Sequence, residues 1–345
     1  MTVQLTDQSR SEYDQQNEVA GRIVALEDHF EKTEVYWEFR KRFFGILAQR
    51  EARLKVGKTE QKGAALIGPA GAGKSRLAKE VIAEHHALAE DAGDRQFGYR
   101  ILSVIVPGRA TVKETLTEVL TELGVPVHAR RDDEYLGRLV MEYFKECGIA
   151  GLHLDEVQDS GRYKTSDSIE VFIKRFRNMM QHSNWPICII LTATPEGRDL
   201  INHDPTLTRR LRPIEMKPMT FARDGALLRK TIIKLFHDAG VRDAGILQID
   251  EFIKILIHAA VGRFGVAVEM TIEAIGECLE DDNDEIDMSY FADAYALRMD
   301  CDEELNPFVS EYWKLIDTMK ALQRYDDKKR EAVKTLNKRR RPSAA

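Results

Sequence analysis

The stretch Gly68-Pro69-Ala70-Gly71-Ala72-Gly73-Lys74-Ser75 sets glycines, a lysine and a hydroxyl at the GxxxxGK[ST] spacing, with Arg76 next along the chain. Glycines let the backbone curl until successive N–H groups converge on phosphate oxygens. A helix starting there adds the positive end of its dipole. Lys74 would neutralise the β- and γ-phosphates of ATP, and the Ser75 hydroxyl would ligate Mg²⁺. Such a loop needs an acidic partner on a neighbouring buried strand, and the run from Ile149 to Leu154 ends in Asp155 and Glu156. Asp155 would hold Mg²⁺ through water, while Glu156 would act as the base that polarises an attacking water. A paired Asp-Glu speaks for hydrolysis, because phosphoryl transfer to a small molecule has no need of the second carboxylate. His153, on the same strand, reads as a packed core histidine.

Three further groups complete the candidate chemistry. Leu191-Thr192-Ala193-Thr194-Pro195-Glu196 reads as a strand ending in small polar residues. Thr194 is the first choice, and Thr192 the second, for a hydroxyl that reaches the γ-phosphate or the lytic water. Arg209, Arg210 and Arg212 precede a last short strand, where a guanidinium can project into the nucleotide of a neighbouring subunit. Surface arginines with no such role are the competing reading. Arg263, in Gly262-Arg263-Phe264 at the start of a later helix, can fold over the phosphates.

These residues need a scaffold, and the hydrophobic pattern supplies one. Strand-like runs at 64–67, 99–106, 149–154 and 187–193 alternate with helical periodicities such as Val112, Leu116, Val119, Leu120 and Leu123. Alternation of this kind predicts an α/β fold, a parallel sheet sandwiched by helices. After Pro218 only helical patterns remain, near 222–239, 250–260, 263–281 and 288–299. The expected division is a helical N-terminal extension over 1–62, a nucleotide-binding core over 63–218, a small helical lid over 219–300, and a C-terminal helix and basic tail over 301–345. The acidic stretch Glu280 to Asp287 lacks the glycine and ligand spacing of a calcium loop and reads as a solvated connection.

Composition narrows the class. Hydrophobic residues make up 43% and charged residues 31% of 345 positions, enough for a sizeable core. Mean hydropathy is −0.38 and the apolar runs are too short to span a bilayer, so no membrane is expected. The polar first twenty residues do not resemble a secretory signal. Scattered Cys147, Cys188, Cys278 and Cys301 argue against a zinc site or disulfide framework, which fits a cytoplasmic setting. From Thr318 onward ten Lys/Arg against three Asp/Glu give +7, leaving −13 on the rest of a chain of net charge −6. Such a tail can attract a polyanion, or be a solvated end.

Taken together, in order over residues 64–300, these elements resemble the Walker A, Walker B, sensor 1, arginine finger and sensor 2 of an AAA+ P-loop ATPase. More narrowly, the chain resembles the TniB/TnsC group of transposition ATPases, related to the B protein of phage Mu. That likeness rests on Leu154-Asp155-Glu156-Val157-Gln158, on the strand closing with Thr194-Pro195-Glu196, on the segment 209–219, and on Asn306-Pro307-Phe308 followed by Tyr312-Trp313. The resemblance implies a regulator that is loaded with ATP and Mg²⁺ and binds double-stranded DNA without sequence preference. It further implies assembly into a ring or helical filament, a target-selector protein, and a transposase to which the target is presented. Loops after the second strand and near the Walker B helix line the channel in such assemblies. Here that implicates Arg109 and Lys113, then Arg162, Lys164, Lys174, Arg175 and Arg177 for DNA. Competing readings of the same ATPase are a helicase or clamp loader, a signalling ATPase without a DNA ligand, and a small-molecule kinase.

Overall fold

The computed structural model describes residues 7–93, 96–107, 111–128, 131–157 and 166–321. Arg109, Gln158, Arg162, Lys164 and the basic tail beyond 321 lie outside the described residues. Contacts divide the chain into two compact units, Lys32–Lys217 and a second made of Met1–Glu31 with Pro218–Ala345. Helix α1 (Asp7–Glu27) therefore belongs to the second unit, and α2 (Glu34–Lys55) to the first. The stretch 1–62, expected as one extension, is shared between them.

In the Lys32–Lys217 unit the motif-bearing strands are short apolar runs. Strands β1 (Ala64–Ile67), β3 (Ile149–Asp155) and β4 (Cys188–Ala193) are buried at every residue, as parallel strands covered on both faces must be. Strand β2 (Arg100–Ile105) lies at one edge and the three-residue β5 (Pro213–Glu215) at the other. The order β2-β3-β4-β1-β5 is parallel throughout, so every connection crosses over a face of the sheet. Helices α3 (Lys74–Ala92), α4 (Val112–Glu122), α5 (Asp133–Glu146) and α6 (Ser166–Met180) make those crossings, followed by the short α7 (Gly197–Asn202) and α8 (Pro205–Leu211). Each buries the apolar stripe read from its periodicity. In α4 that stripe is Val112, Leu116, Val119 and Leu120, and the helix opens on a Thr111–Glu114 capping box. The core lies between β1, β3, β4 and the inner faces of α4, α5 and α6.

The other unit is built from α1, α9 (Phe221–Ala239), α10 (Asp250–Ala259), α11 (Phe264–Glu280) and α12 (Met288–Met299). Val19 and Leu26 of α1 are buried with α9 and α11 residues, and the Arg22 guanidinium donates to the Ala239 carbonyl in the last turn of α9. A cation there also meets the negative end of the α9 dipole. The acidic stretch 280–287 is not wholly the solvated loop expected. Its Glu285 and Ile286 form β7 (Glu285–Ile286) in parallel pairing with β6 (Arg242–Asp243). Ile286 is fully buried, and Asp287 accepts from Ser289 N–H to cap α12. In the Asn-Pro-Phe turn, the buried Asn306 amide donates to the Ala292 carbonyl at 2.7 Å. No single described helix is long and apolar enough to cross a membrane.

Candidate active site

Strand order brings the first three motifs to one edge. β4 lies between β1 and β3, with Leu66 opposite Thr192 and Leu154 opposite Leu191. The carboxyl ends of all three strands therefore finish together, which is where ligands bind in open parallel sheets. Beyond β1 the loop 68–73 turns on Gly71 at φ 72° and Gly73 at φ 89°, both in the left-handed region that favours glycine. Gly68 has a packing reason of its own: a Cβ there would stand 2.8 Å from Met216 Cβ, on the residue following β5. The first N–H groups of α3 face this loop end, as a phosphate cradle requires.

Lys74 is buried and donates to the Pro69 carbonyl at 2.9 Å, an internal acceptor for the ammonium that phosphate oxygens would replace. The Ser75 hydroxyl donates to Asp155 Oδ1 at 3.0 Å. Motifs eighty residues apart thus meet through a single hydrogen bond. A hydroxyl and a carboxylate in contact are a hard-oxygen donor pair suited to Mg²⁺. Pro69, Ala70 and Ala72 shape the loop, while Arg76 turns along α3 to pair with Glu80 at 2.9 Å.

Asp155 is 3% exposed, a strongly buried carboxylate that must be well supplied with donors. Its Oδ1 receives Ser75, the Glu156 N–H at 3.1 Å, and the hydroxyl of Thr192. Glu156 has φ 58°, a strained value for a side chain other than glycine, at the very residue read as the base. Thr192, the second choice from sequence, is the threonine in contact with Asp155; Thr194 lies one residue past β4 and is 8% exposed. His153 is fully buried and touches Thr192 Oγ1 at 3.1 Å and Ser103 Oγ at 2.7 Å. Burial pushes its pKa below the ordinary histidine value, against the opposing pull of Asp155. Sequence pattern gave no hint of Ser103, which reaches the site only through the pairing of β2 with β3.

The arginines of α8 have different surroundings. Arg210 forms an ion pair with Glu60, and its Nη1 donates to the Gln61 carbonyl at 3.4 Å. Arg210 is thereby tied to the segment that precedes β1. Arg209 is exposed. Arg212 is exposed at the helix end with φ 36°, and its carbonyl accepts from Arg42 at 2.7 Å. The N-terminus of α8 is fixed by Asp204, which accepts from Thr206 N–H at 2.7 Å and pairs with Arg177 at 2.8 Å.

Of the cations assigned to DNA, Arg177 is thus engaged with α8. The Arg175 guanidinium lies over α5, where a Cβ on Gly137 would meet its Nη1 at 2.8 Å. Lys174 is exposed on α6 and Lys113 half-buried on α4. Arg263 belongs to the helical unit, where it precedes α11, is 9% exposed and approaches Met319 Sδ at 3.8 Å.

The family described as "Bacterial TniB protein" matches residues 37–221, more than half of the chain. No curated protein sequence matches it. Among solved structures the chain is similar to the Aeropyrum pernix ORC1 protein in complex with DNA, at TM-score 0.55 and 17% identity over 76% of this chain and 66% of that one. It is likewise similar to the Aeropyrum pernix ORC2 protein in its ADPNP-ADP complexes, at TM-score 0.53 and 12% identity over 74% and 67%. The chain spans about two thirds of the length of either, and at such identities the likeness concerns the fold, which is that of the AAA+ ATPases.

Proposed function

Since the chain belongs to the bacterial TniB family of AAA+ ATPases, we propose that it is an ATP-dependent, DNA-binding regulator of transposition. It oligomerises on target DNA, receives its target from a selector protein, and recruits or activates a transposase in the cytoplasm. The family match across the nucleotide-binding core carries this reading. A neighbour of the same fold in complex with DNA supports the choice of ligand.

The chemistry follows from the site. Loop amides of 68–73 and the amino end of α3 hold the phosphates, and Lys74 leaves the Pro69 carbonyl to neutralise them. Ser75 and Asp155 would hold Mg²⁺, which would supply neutralisation of the charge developing on the transferred phosphoryl group. Glu156 orients water and takes its proton. Thr192 fixes Asp155, and Thr194 at the strand exit faces the γ-phosphate. Arg209, free of the contacts that occupy Arg210, reaches the nucleotide of a neighbouring copy and stabilises transition-state charge there. Arg263, which precedes α11, is a further nucleotide-binding residue in this reading. DNA is held through its backbone by Arg109, Lys113, Lys174, Arg175 and Arg177, so binding is indifferent to sequence and falls steeply with salt.

The test is ATPase rate and electron-microscopic imaging with and without random-sequence duplex DNA, using a non-hydrolysable ATP analogue for the images. DNA-stimulated turnover and nucleotide-dependent rings or filaments on DNA are expected. Turnover indifferent to DNA, with no assembly on it, overturns the reading in favour of a signalling ATPase.

A further inference from the structure

The fully buried His153 sits two residues before Asp155 on β3, so both side chains project from one face of the strand. Its two ring nitrogens meet side-chain hydroxyls on the two flanking strands, Ser103 of β2 at 2.7 Å and Thr192 of β4 at 3.1 Å. Thr192 in turn touches Asp155 Oδ1. Four side chains on three adjacent strands thus form one continuous chain of hydrogen bonds that ends on the carboxylate beside Ser75.

Simple donor counting orients it. An ionised carboxylate only accepts, so Thr192 must donate its single hydroxyl proton to Asp155. Thr192 Oγ1 can then only accept from His153, which places a proton on Nε2. In a neutral ring Nδ1 is then bare and accepts from the Ser103 hydroxyl. Every link points toward Asp155, and each depends on the one before it. Nothing in the GxxxxGK[ST] or Asp-Glu chemistry requires a histidine here.

We propose that His153 is a positioning residue of the ATPase site: as the Nε2–H tautomer, set by Ser103, it orients the Thr192 hydroxyl so that Oδ1 of Asp155 stays occupied and its other oxygen is presented to the metal side. Ser75 is itself one of the residues that would hold Mg²⁺, so Thr192 is the side-chain donor that would remain on Oδ1, and its orientation decides where the carboxylate points. This role rests on the assignment of Asp155 as a metal-holding group. Outer partners that orient metal-side ligands typically carry about 10–100-fold of metal affinity or activity.

The first readout needs neither nucleotide nor metal. In protein labelled with ¹⁵N-histidine, the His153 signals should report a protonated Nε2 and an unprotonated Nδ1, and Ser103→Ala should weaken that tautomer preference. Protonation at Nδ1 alone overturns the proposal. The second readout is the Mg²⁺ concentration needed for half-maximal ATP turnover, alongside ATP affinity without Mg²⁺. His153→Leu should raise the Mg²⁺ requirement or lower kcat by about 10-fold or more and leave metal-free affinity unchanged. His153→Gln, whose amide can donate to Thr192, should restore most of the loss. A folded His153→Leu protein with wild-type Mg²⁺ dependence and kcat overturns the role, as does a folded Gln variant no better than Leu. Should the Leu variant not fold, the tautomer and Ser103→Ala decide. Asp155→Asn separates the two levels: if it leaves the Mg²⁺ requirement unchanged, the metal-side assignment of Asp155 fails and the proposed role with it. If Asp155→Asn acts and His153→Leu does not, only the role of His153 fails.

Discussion

Replacement of Asp204 by alanine should loosen the short helix that carries Arg209. Asp204 caps α8 through Thr206 N–H and Oγ1, at 2.7 and 2.6 Å, and receives Arg177 at 2.8 Å. Burial works to raise its pKa, but bonds from Thr206 and the nearby Arg177 outweigh it and hold the carboxyl below its ordinary value. Loss of a capping side chain costs about 1 kcal/mol. The ion pair, 29% and 17% exposed at its two ends, adds about 0.5–1 kcal/mol. Together these amount to about 2 kcal/mol, or about 4–8 °C in Tm for a unit of this size. Asp204→Asn retains a good cap and removes only the charge, so it should cost about 0.5–1 kcal/mol. Thermal melting of the three proteins, with ATPase assays of the assembled state, provides the measurement. On the proposed role of Arg209 at a neighbouring nucleotide, hydrolysis should fall more than ATP affinity. Equal losses for Asn and Ala would refute the capping account, and an unchanged Tm in Asp204→Ala would refute it altogether.

Lys74→Ala should abolish ATP binding, whereas Glu156→Gln should bind ATP and stop turnover; fluorescent-nucleotide binding and phosphate release distinguish them. Arg209→Ala should cut hydrolysis about 10³-fold or more in assemblies with near-normal affinity, and mixing with Lys74→Ala should restore part of it. Arg210→Ala should lower Tm, through loss of Glu60, more than it lowers the rate in what remains folded. Glu84 is held down to about 2 by hydrogen bonds from Arg40, against opposing burial, with a further bond from Tyr36. A depressed carboxylate stabilises fully above its unfolded value of 4.5 and loses that contribution as pH falls toward 2. Melting followed from pH 6 to 3 should therefore fall more steeply in the wild type than in Glu84→Gln, by about 1 kcal/mol at this partly exposed pair.

Legibility in the sequence followed the range of the interaction. β1 is an unbroken apolar run, β3 and β4 are apolar apart from His153, Asp155 and Thr192, and the long helices repeat their buried residues at helical spacing, so both were readable from a window of the chain. Two-residue strands such as β6 and β7 have no period to detect, and acidic neighbours concealed the buried Ile286. At the site, Lys74, Ser75, Asp155 and Glu156 were marked by residue type and spacing. The choice between Thr192 and Thr194 depends on how β4 is aligned with β3. Arg209 and Arg210 look alike in sequence; Glu60 and the Gln61 carbonyl, far along the chain, separate them. For the same reason Arg177 reads as a surface cation until Asp204 is found beside it.

The helical unit draws its first helix from one side of the ATPase core in sequence and the rest from the other. During synthesis α1 leaves the ribosome before any of the sheet, while α9 and α11, against which Val19, Ile23 and Leu26 pack, come only after all of it. The Lys32–Lys217 unit has its complete set of strands before the helical unit can close, so vectorial synthesis favours that order of folding. Until then α1 carries an apolar stripe with no partner, a natural point of attachment for a chaperone. A nascent chain stalled after β5 would hold a finished nucleotide cradle preceded by an unsatisfied helix.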